Sequence, residues 1–328
     1  MPIILDKHQV QNFIKINYNL EGNLYPLPSY YDQNFLLDNS KSKFVIKISN
    51  NLRTKENLET ENKILDHLKL DNVSIPKIKK NVSGFDIATF EGVDSTIYIR
   101  VFEYIEGEIL SSIETVNHEL LNDIGNICAK INKQLSKVKI VDKADSLWDL
   151  RNAKENLRFS TYLKDINTIK IVEKILTDFD YEFKKYENQL EPSPIHGDLN
   201  LANLIYKDNK IIGVLDFGEI KNSYKIFDLA IACMYPGLKN QDPIASFTKV
   251  INGYNQVSKI NSAELGIIYP AICARVCVST IISFKNSAEF PDNEYVKAKC
   301  APNMLLLKKI SEISFETGKK LIKDSLVS

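Results

Sequence analysis

Asp198, Asn203 and Asp216 are three oxygen-bearing side chains set in two short segments. The first is Ile195-His196-Gly197-Asp198-Leu199-Asn200-Leu201-Ala202-Asn203-Leu204, and the second is Gly213-Val214-Leu215-Asp216-Phe217-Gly218. Their order and spacing suit phosphoryl transfer. In that chemistry a loop Asp accepts the proton of an attacking hydroxyl. An Asn five residues later and an Asp in a following Asp-Phe-Gly turn hold the divalent cations that bridge the nucleotide phosphates. Asp198 is therefore the candidate catalytic base, and Asn203 and Asp216 are the candidate Mg2+ ligands. Either half alone reads as an ordinary turn; the two together, a hairpin length apart, carry the assignment.

The intervening residues explain how the two halves meet. Asn203 to Tyr206 reads as a short strand, Lys207 to Lys210 as a polar turn, and Ile211 to Leu215 as a second strand of branched apolar residues. A hairpin of this length returns Asp216 to the neighbourhood of Asn203, and two oxygen donors at its open end suit a hard cation.

Upstream, Phe44-Val45-Ile46-Lys47-Ile48 is an apolar strand with a lysine inside it. Such a lysine is costly to bury unless it meets an anion, so Lys47 is the candidate phosphate ligand. Its acidic partner should come from the next helix, Glu56 to Leu70, where Glu61 shares a face with Ile64, Leu65 and Leu68. Glu59 points elsewhere on that helix and is the alternative. The strand Ile99 to Tyr104 leads to Gly107, and the Glu103 carbonyl and Ile105 amide are the expected contacts to a nucleotide base. Asp228 opens a helix, either as a first-turn carboxylate or as support behind the catalytic loop.

A first helix capped by Asp6 runs to about Ile16. Strands are expected at Asn34 to Leu37, Lys43 to Ser49, Val73 to Ile78, Phe85 to Phe90 and Thr96 to Tyr104. After Gly107 the pattern is helical, at Ile113 to Leu135, Ser146 to Phe159, Ile166 to Gln189, Lys225 to Tyr235, Pro243 to Gln256, Ser262 to Phe284 and Glu294 to Ile322. The fold class is α+β, with a small sheet-plus-helix lobe (1–104) and a mostly helical lobe (105–328), and a nucleotide is expected in a cleft between them.

Composition narrows the rest. Lys plus Arg and Asp plus Glu are both 42, so the balanced charge gives no support for nucleic-acid binding. The five cysteines have no CxxC spacing and the four histidines are well separated, which argues against a disulfide framework or a metal cluster. The N-terminus lacks a signal-peptide pattern, so the cytoplasm is the expected compartment. The apolar stretch Leu265 to Ile282 contains Pro270 and Arg275 and reads as a buried helix rather than a membrane span.

The His-Gly-Asp-Leu-x-x-x-Asn and Leu-Asp-Phe-Gly signatures resemble the aminoglycoside phosphotransferase and choline kinase superfamily, over about Tyr25 to Lys309. The resemblance implies a protein-kinase-like two-lobed fold acting on small molecules. Gly197 stands where protein kinases usually carry Arg, and no room for an activation loop remains between Gly218 and Lys225. A protein substrate is therefore disfavoured. Asn132, after Ala129-Lys130-Ile131, stands where many relatives have His, which bears on loop support more than on chemistry.

A narrower similarity is to the hydroxylysine kinase branch. It is carried by Leu27 to Phe35, Phe44 to Asn50, Leu215 to Gly218, Ala230 to Tyr235 and Cys273 to Cys277. The Ser29-Tyr30-Tyr31-Asp32-Gln33-Asn34 stretch lies where a phosphate-covering loop should be, yet holds no Gly. Ser29, Gln33 and Asn34 are candidates to donate to phosphate oxygens instead. That branch implies 5-hydroxylysine as acceptor and GTP, or otherwise ATP, as donor.

An amino-acid acceptor needs a cation for its carboxylate and anions for its ammonium groups. Arg275 is the candidate carboxylate clamp, with a buried internal salt bridge as the alternative. Asp149 and Glu219 are the candidate ammonium partners, although Asp149 also reads as a helix cap. An aminoglycoside, choline, homoserine or sugar acceptor would use the same machinery. A nucleotide-binding pseudokinase is the reading from another class. The chain is expected to act on its small molecule as a monomer or homodimer.

Overall fold

A computed structural model describes residues 4–29, 32–49, 53–92, 96–140 and 147–327. The chain divides into two compact units. The first holds Met1–Gly107 with Gly213–Leu215, and the second holds Glu108–Ile212 with Asp216–Ser328. The division thus falls at Gly107 rather than after 104, and three residues from the hairpin join the first unit.

In the first unit, helix α1 (Lys7–Tyr18) begins at Asp6, whose carboxylate accepts from the Gln9 amide in a reciprocal capping box. It is followed by β1 (Asn23–Leu27), β2 (Gln33–Asp38), β3 (Lys43–Ile48), α2 (Lys55–His67), β4 (Ile78–Lys79), β5 (Ala88–Glu91) and β6 (Thr96–Glu103). These strands form an antiparallel sheet in the order β1-β2-β3-β6, with β4 and β5 both on the far side of β6. The run from Val73 is mostly irregular, and only Ile78–Lys79 reaches the sheet. Ser74 instead bridges to Gly213, and its carbonyl accepts from the Val214 amide at 3.0 Å.

Strand alternation sorts this sheet into two faces. Ile46 opposes Val101 and Ile48 opposes Ile99, and these four join Val10, Phe13 and Ile14 of α1 in one apolar core. Between them Lys47 opposes Arg100, so both cations stand on the other face.

The second unit contains β7 (Glu108–Ile109), α3 (His118–Leu135), a 3-10 helical stretch over Leu150–Leu163, α4 (Ile166–Tyr186), β8 (Pro192–Ile195), β9 (Leu204–Lys207) and β10 (Lys210–Val214). It continues with β11 (Lys221–Tyr224), α5 (Lys225–Lys239), α6 (Pro243–Val257), α7 (Ser262–Glu289), α8 (Glu294–Lys297), α9 (Cys300–Ser311) and α10 (Phe315–Val327). The expected single helix from Glu294 to Ile322 is therefore three. Ser314 starts the last of them, accepting from the Thr317 amide at 3.2 Å through its hydroxyl.

The apolar helix expected near Leu265 is α7, 28 residues long, and 89% of its most apolar window is buried within the fold. It serves as the core helix of this unit. Helices α3 and α6 approach backbone to backbone, because Gly125 faces the Val250 carbonyl and Gly253 faces the Asn122 carbonyl, where a Cβ would overlap. Gly125→Ala should therefore destabilise the protein by about 1–3 kcal/mol, read as a lower midpoint in denaturant with an unchanged m-value.

Candidate active site

The catalytic loop hangs between two elements. Strand β8 pairs with β11, Ile195 opposite Lys221, and delivers the chain to His196 and Gly197. Gly197 has φ +79°, a left-handed conformation that side chains disfavour, and a Cβ there would run into the Glu219 carbonyl. Both turn amides point at Asp228 on α5: His196 N donates at 3.0 Å and Gly197 N at 2.9 Å. Asn132 of α3 donates its Nδ2 to the same carboxylate at 2.9 Å. Asp228 is fully buried, and that burial raises its pKa while the three donors oppose the rise. Asp228 is thus the support behind the loop, and Asn132 ties that support to α3.

Beyond the turn, Asp198 leads into a single 3-10 turn over Leu201–Asn203. Asn200 caps that turn by accepting from the Ala202 amide at 2.7 Å. The turn brings Asn203 back to Asp198, where its Nδ2 donates to the Asp198 backbone carbonyl at 2.9 Å and to Oδ2 at 3.0 Å. The amide nitrogen is committed to Asp198, which turns Asn203 Oδ1 to the opposite side.

The hairpin between the two halves forms as its sequence suggests. Asp208 and Asn209 take φ values of +50° and +58° at its tip, the paired left-handed residues of a tight hairpin turn. Asp216 follows β10, is exposed, and also has left-handed backbone at φ 56° and ψ 73°. Its charge acts on Asp198 and raises the pKa of that residue. Phe217 packs its ring against His196 with centroids 4.6 Å apart, tying the second segment to the first. Asn203 and Asp216 offer one amide and one carboxylate oxygen. Among the described residues no group of three or more His, Cys, Asp or Glu could hold a metal. This sparse, oxygen-only donor set fits a hard cation that completes its shell with phosphates and water, rather than a cation held by protein alone.

Arg275, in the buried middle of α7, reaches Asp198 with Nη2 3.7 Å from Oδ1. Its fork also donates to the Trp148 carbonyl at 3.3 Å and the Tyr235 hydroxyl at 3.4 Å, and its guanidinium lies 4.7 Å over the Trp148 ring. The expected carboxylate clamp is therefore engaged with the catalytic residue itself, which is the internal salt bridge of the alternative reading. Asp149 is corrected likewise. It is 3% exposed, accepts from Arg151 Nη2 at 2.7 Å, Nε at 3.0 Å and N at 3.0 Å, and caps the stretch over Leu150–Leu163. Its acceptor capacity is consumed locally. Glu219 is half-buried directly after the Asp-Phe-Gly turn.

In the first unit, Glu61 is buried on the sheet face that carries Lys47, while Glu59 is exposed and pairs with Lys55 at 3.9 Å. Glu61 also meets a cation that the sequence gave no reason to expect. Arg100, 1% exposed, donates Nη2 to Glu61 at 3.1 Å and Nη1 to Asn62 at 2.7 Å. Gln33 is corrected as a phosphate donor, because its amide grips Leu5 from both ends, accepting from N at 3.1 Å and donating to O at 2.8 Å. Asn34 stands opposite Lys47 on β2, with a buried Oδ1 that has no hydrogen-bond partner among the described residues. Ser29 is half-buried, and its neighbours Tyr30 and Tyr31 lie outside the described residues. The Glu103 and Tyr104 amides are used on the Lys77 and Lys43 carbonyls, whereas the Ile105 amide makes no hydrogen bond among the described residues.

Comparison with known families matches residues 24–248 to the Phosphotransferase enzyme family. The chain belongs to this family. It is 26% identical to a hydroxylysine kinase of Mus musculus, over 90% of this chain and 88% of that protein. It is 25% identical to a homoserine kinase of Zymomonas mobilis, over 71% of each. Among solved structures, an amicoumacin kinase in complex with AMP-PNP, Ca2+ and Ami superposes with a TM-score of 0.72 at 17% identity, covering 95% of this chain and 97% of that one. The fold is kinase-like, and the protein is a small-molecule phosphotransferase with an alcohol group as acceptor.

Burial is the largest influence on Asp198 and raises its pKa, and the Arg275 charge opposes this. A base must be ionised to act, so raising its pKa moves the acid limb of kcat/KM to higher pH. Arg275→Met removes the opposing cation and should shift that limb further upward, read from pH–rate profiles of the two enzymes.

Proposed function

We propose that this protein transfers the γ-phosphate of GTP to the side-chain hydroxyl of 5-hydroxylysine, in the cytoplasm. The observation that carries the acceptor is the similarity to hydroxylysine kinases along nine-tenths of the chain, which includes both segments of the catalytic centre. The donor base rests on that similarity alone, and ATP is the alternative donor. The five cysteines are all unpaired, which suits a reducing compartment.

The chain's own residues suggest how the transfer runs. Asp198 orients the acceptor hydroxyl and takes its proton as the oxygen–phosphorus bond forms and the bond to the nucleoside diphosphate breaks. Arg275 steadies the Asp198 carboxylate, and Asn203 fixes its second oxygen. Lys47 would neutralise the nucleotide phosphates, with Glu61 behind it. Asn203 and Asp216 would hold Mg2+, which when bound would supply further neutralisation of the phosphate charge.

A second reading, homoserine as acceptor, is favoured by the homoserine kinase relative. A coupled assay of both hydroxy amino acids with GTP and with ATP separates the two. Turnover of 5-hydroxylysine at a kcat/KM well above that of homoserine is expected, and the reverse order would replace the first reading with the second. Asp198→Asn should lower kcat by about 10^2–10^4 while nucleotide affinity, measured by calorimetry, stays near the wild-type value.

A further inference from the structure

Besides Asp216 and Asp228, six charged side chains gather around the catalytic turn, and two of them are left over once the pairs are assigned. Arg151 is taken by Asp149, and Arg275 lies against Asp198. The remaining two are Glu219 and Lys221, which lead into and begin β11. Lys221 is 5% exposed, and its Nζ is buried with no hydrogen-bond partner among the described residues. Its stem runs beside the catalytic turn, since a Cβ on Gly197 would lie 3.0 Å from Lys221 Cε. The ammonium feels Glu219, Asp149, Arg275 and Asp198, and burial lowers its pKa. The Glu219 carboxylate makes no hydrogen bond or ion pair among the described residues.

An enclosed ammonium without an acceptor costs stability. A charge kept at that cost beside a catalytic residue is the pattern of a functional group rather than a structural one. The two unassigned groups, Lys221 and Glu219, are one cation and one anion and so balance each other. A ligand carrying both signs on neighbouring atoms can enter without upsetting that balance, and the head group of an α-amino acid is such a ligand.

We propose that Lys221 and Glu219 form a head-group site for the zwitterionic end of an amino-acid acceptor, with Lys221 receiving the carboxylate and Glu219 the α-ammonium. This rests on the reading of the acceptor as a hydroxy amino acid. The four-carbon stem of a lysine is flexible, so rotation about its last bonds carries the ammonium to the incoming carboxylate. The acceptor clamp is then a lysine, and Arg275 stays with the catalytic Asp.

The test uses the full chain with Lys221→Met and Glu219→Gln. Lys221→Met should raise KM for 5-hydroxylysine or homoserine, whichever the wild type prefers, by at least about 10-fold. KM for the decarboxylated amine of the same acceptor should move by less than about threefold. Glu219→Gln should show the same contrast against the deaminated hydroxy acid. Lys221→Met should also raise the thermal midpoint, because it removes an uncompensated buried charge. Equal KM changes for an acceptor and its truncated analogue, or a lower midpoint for Lys221→Met, would overturn the head-group site alone. A wild-type enzyme that phosphorylates only alcohols without an amino-acid head group would overturn the acceptor reading and this site with it.

Discussion

The catalytic turn depends on one buried carboxylate. Asp228 accepts the His196 and Gly197 amides and the Asn132 side chain, so α5, α3 and the loop are fixed to a common point. Gly197 must be left-handed for its amide to face that carboxylate, and this in turn aims the next residue, Asp198. Without the carboxylate, two backbone donors would be buried and unpaired, a penalty of about 1–3 kcal/mol each. The close approach of α3 to α6 through Gly125 and Gly253 matters for the same reason, because it sets where Asn132 stands.

Much of this was legible in the chain because it is local. The spacing from Asp198 to Asn203 suits a capped single turn, and the polar residues 207–210 fit a hairpin tip. The helical periodicity around Glu61 placed it on the sheet-facing side, where it is buried. What was hidden is long-range. Arg100 looks like a stray cation in an apolar strand until β6 is laid beside β3 and α2 covers that face. Lys221 sits in Lys-Asn-Ser-Tyr, too short to show a period, and its surroundings come from α7, β8 and the stretch after Asp149. Asp149 and Gln33 were misread for the opposite reason. Each is consumed by a nearby backbone or side chain, Asp149 by Arg151 and Gln33 by Leu5, and a sequence does not show which polar groups are already satisfied.

The two units carry their charges differently. In the second, the acids outnumber the strong pairings available to them, and Asp198 has only a loose 3.7 Å contact from Arg275. In the first, Glu61 is gripped by a closer guanidinium at 3.1 Å.

Both acids are held by arginine, on β6 in one unit and on α7 in the other. A guanidinium keeps its proton throughout the range in which proteins remain folded. The same fork has donors to spare, and each arginine holds a second acceptor beside its acid, Asn62 for Arg100 and the Trp148 carbonyl for Arg275.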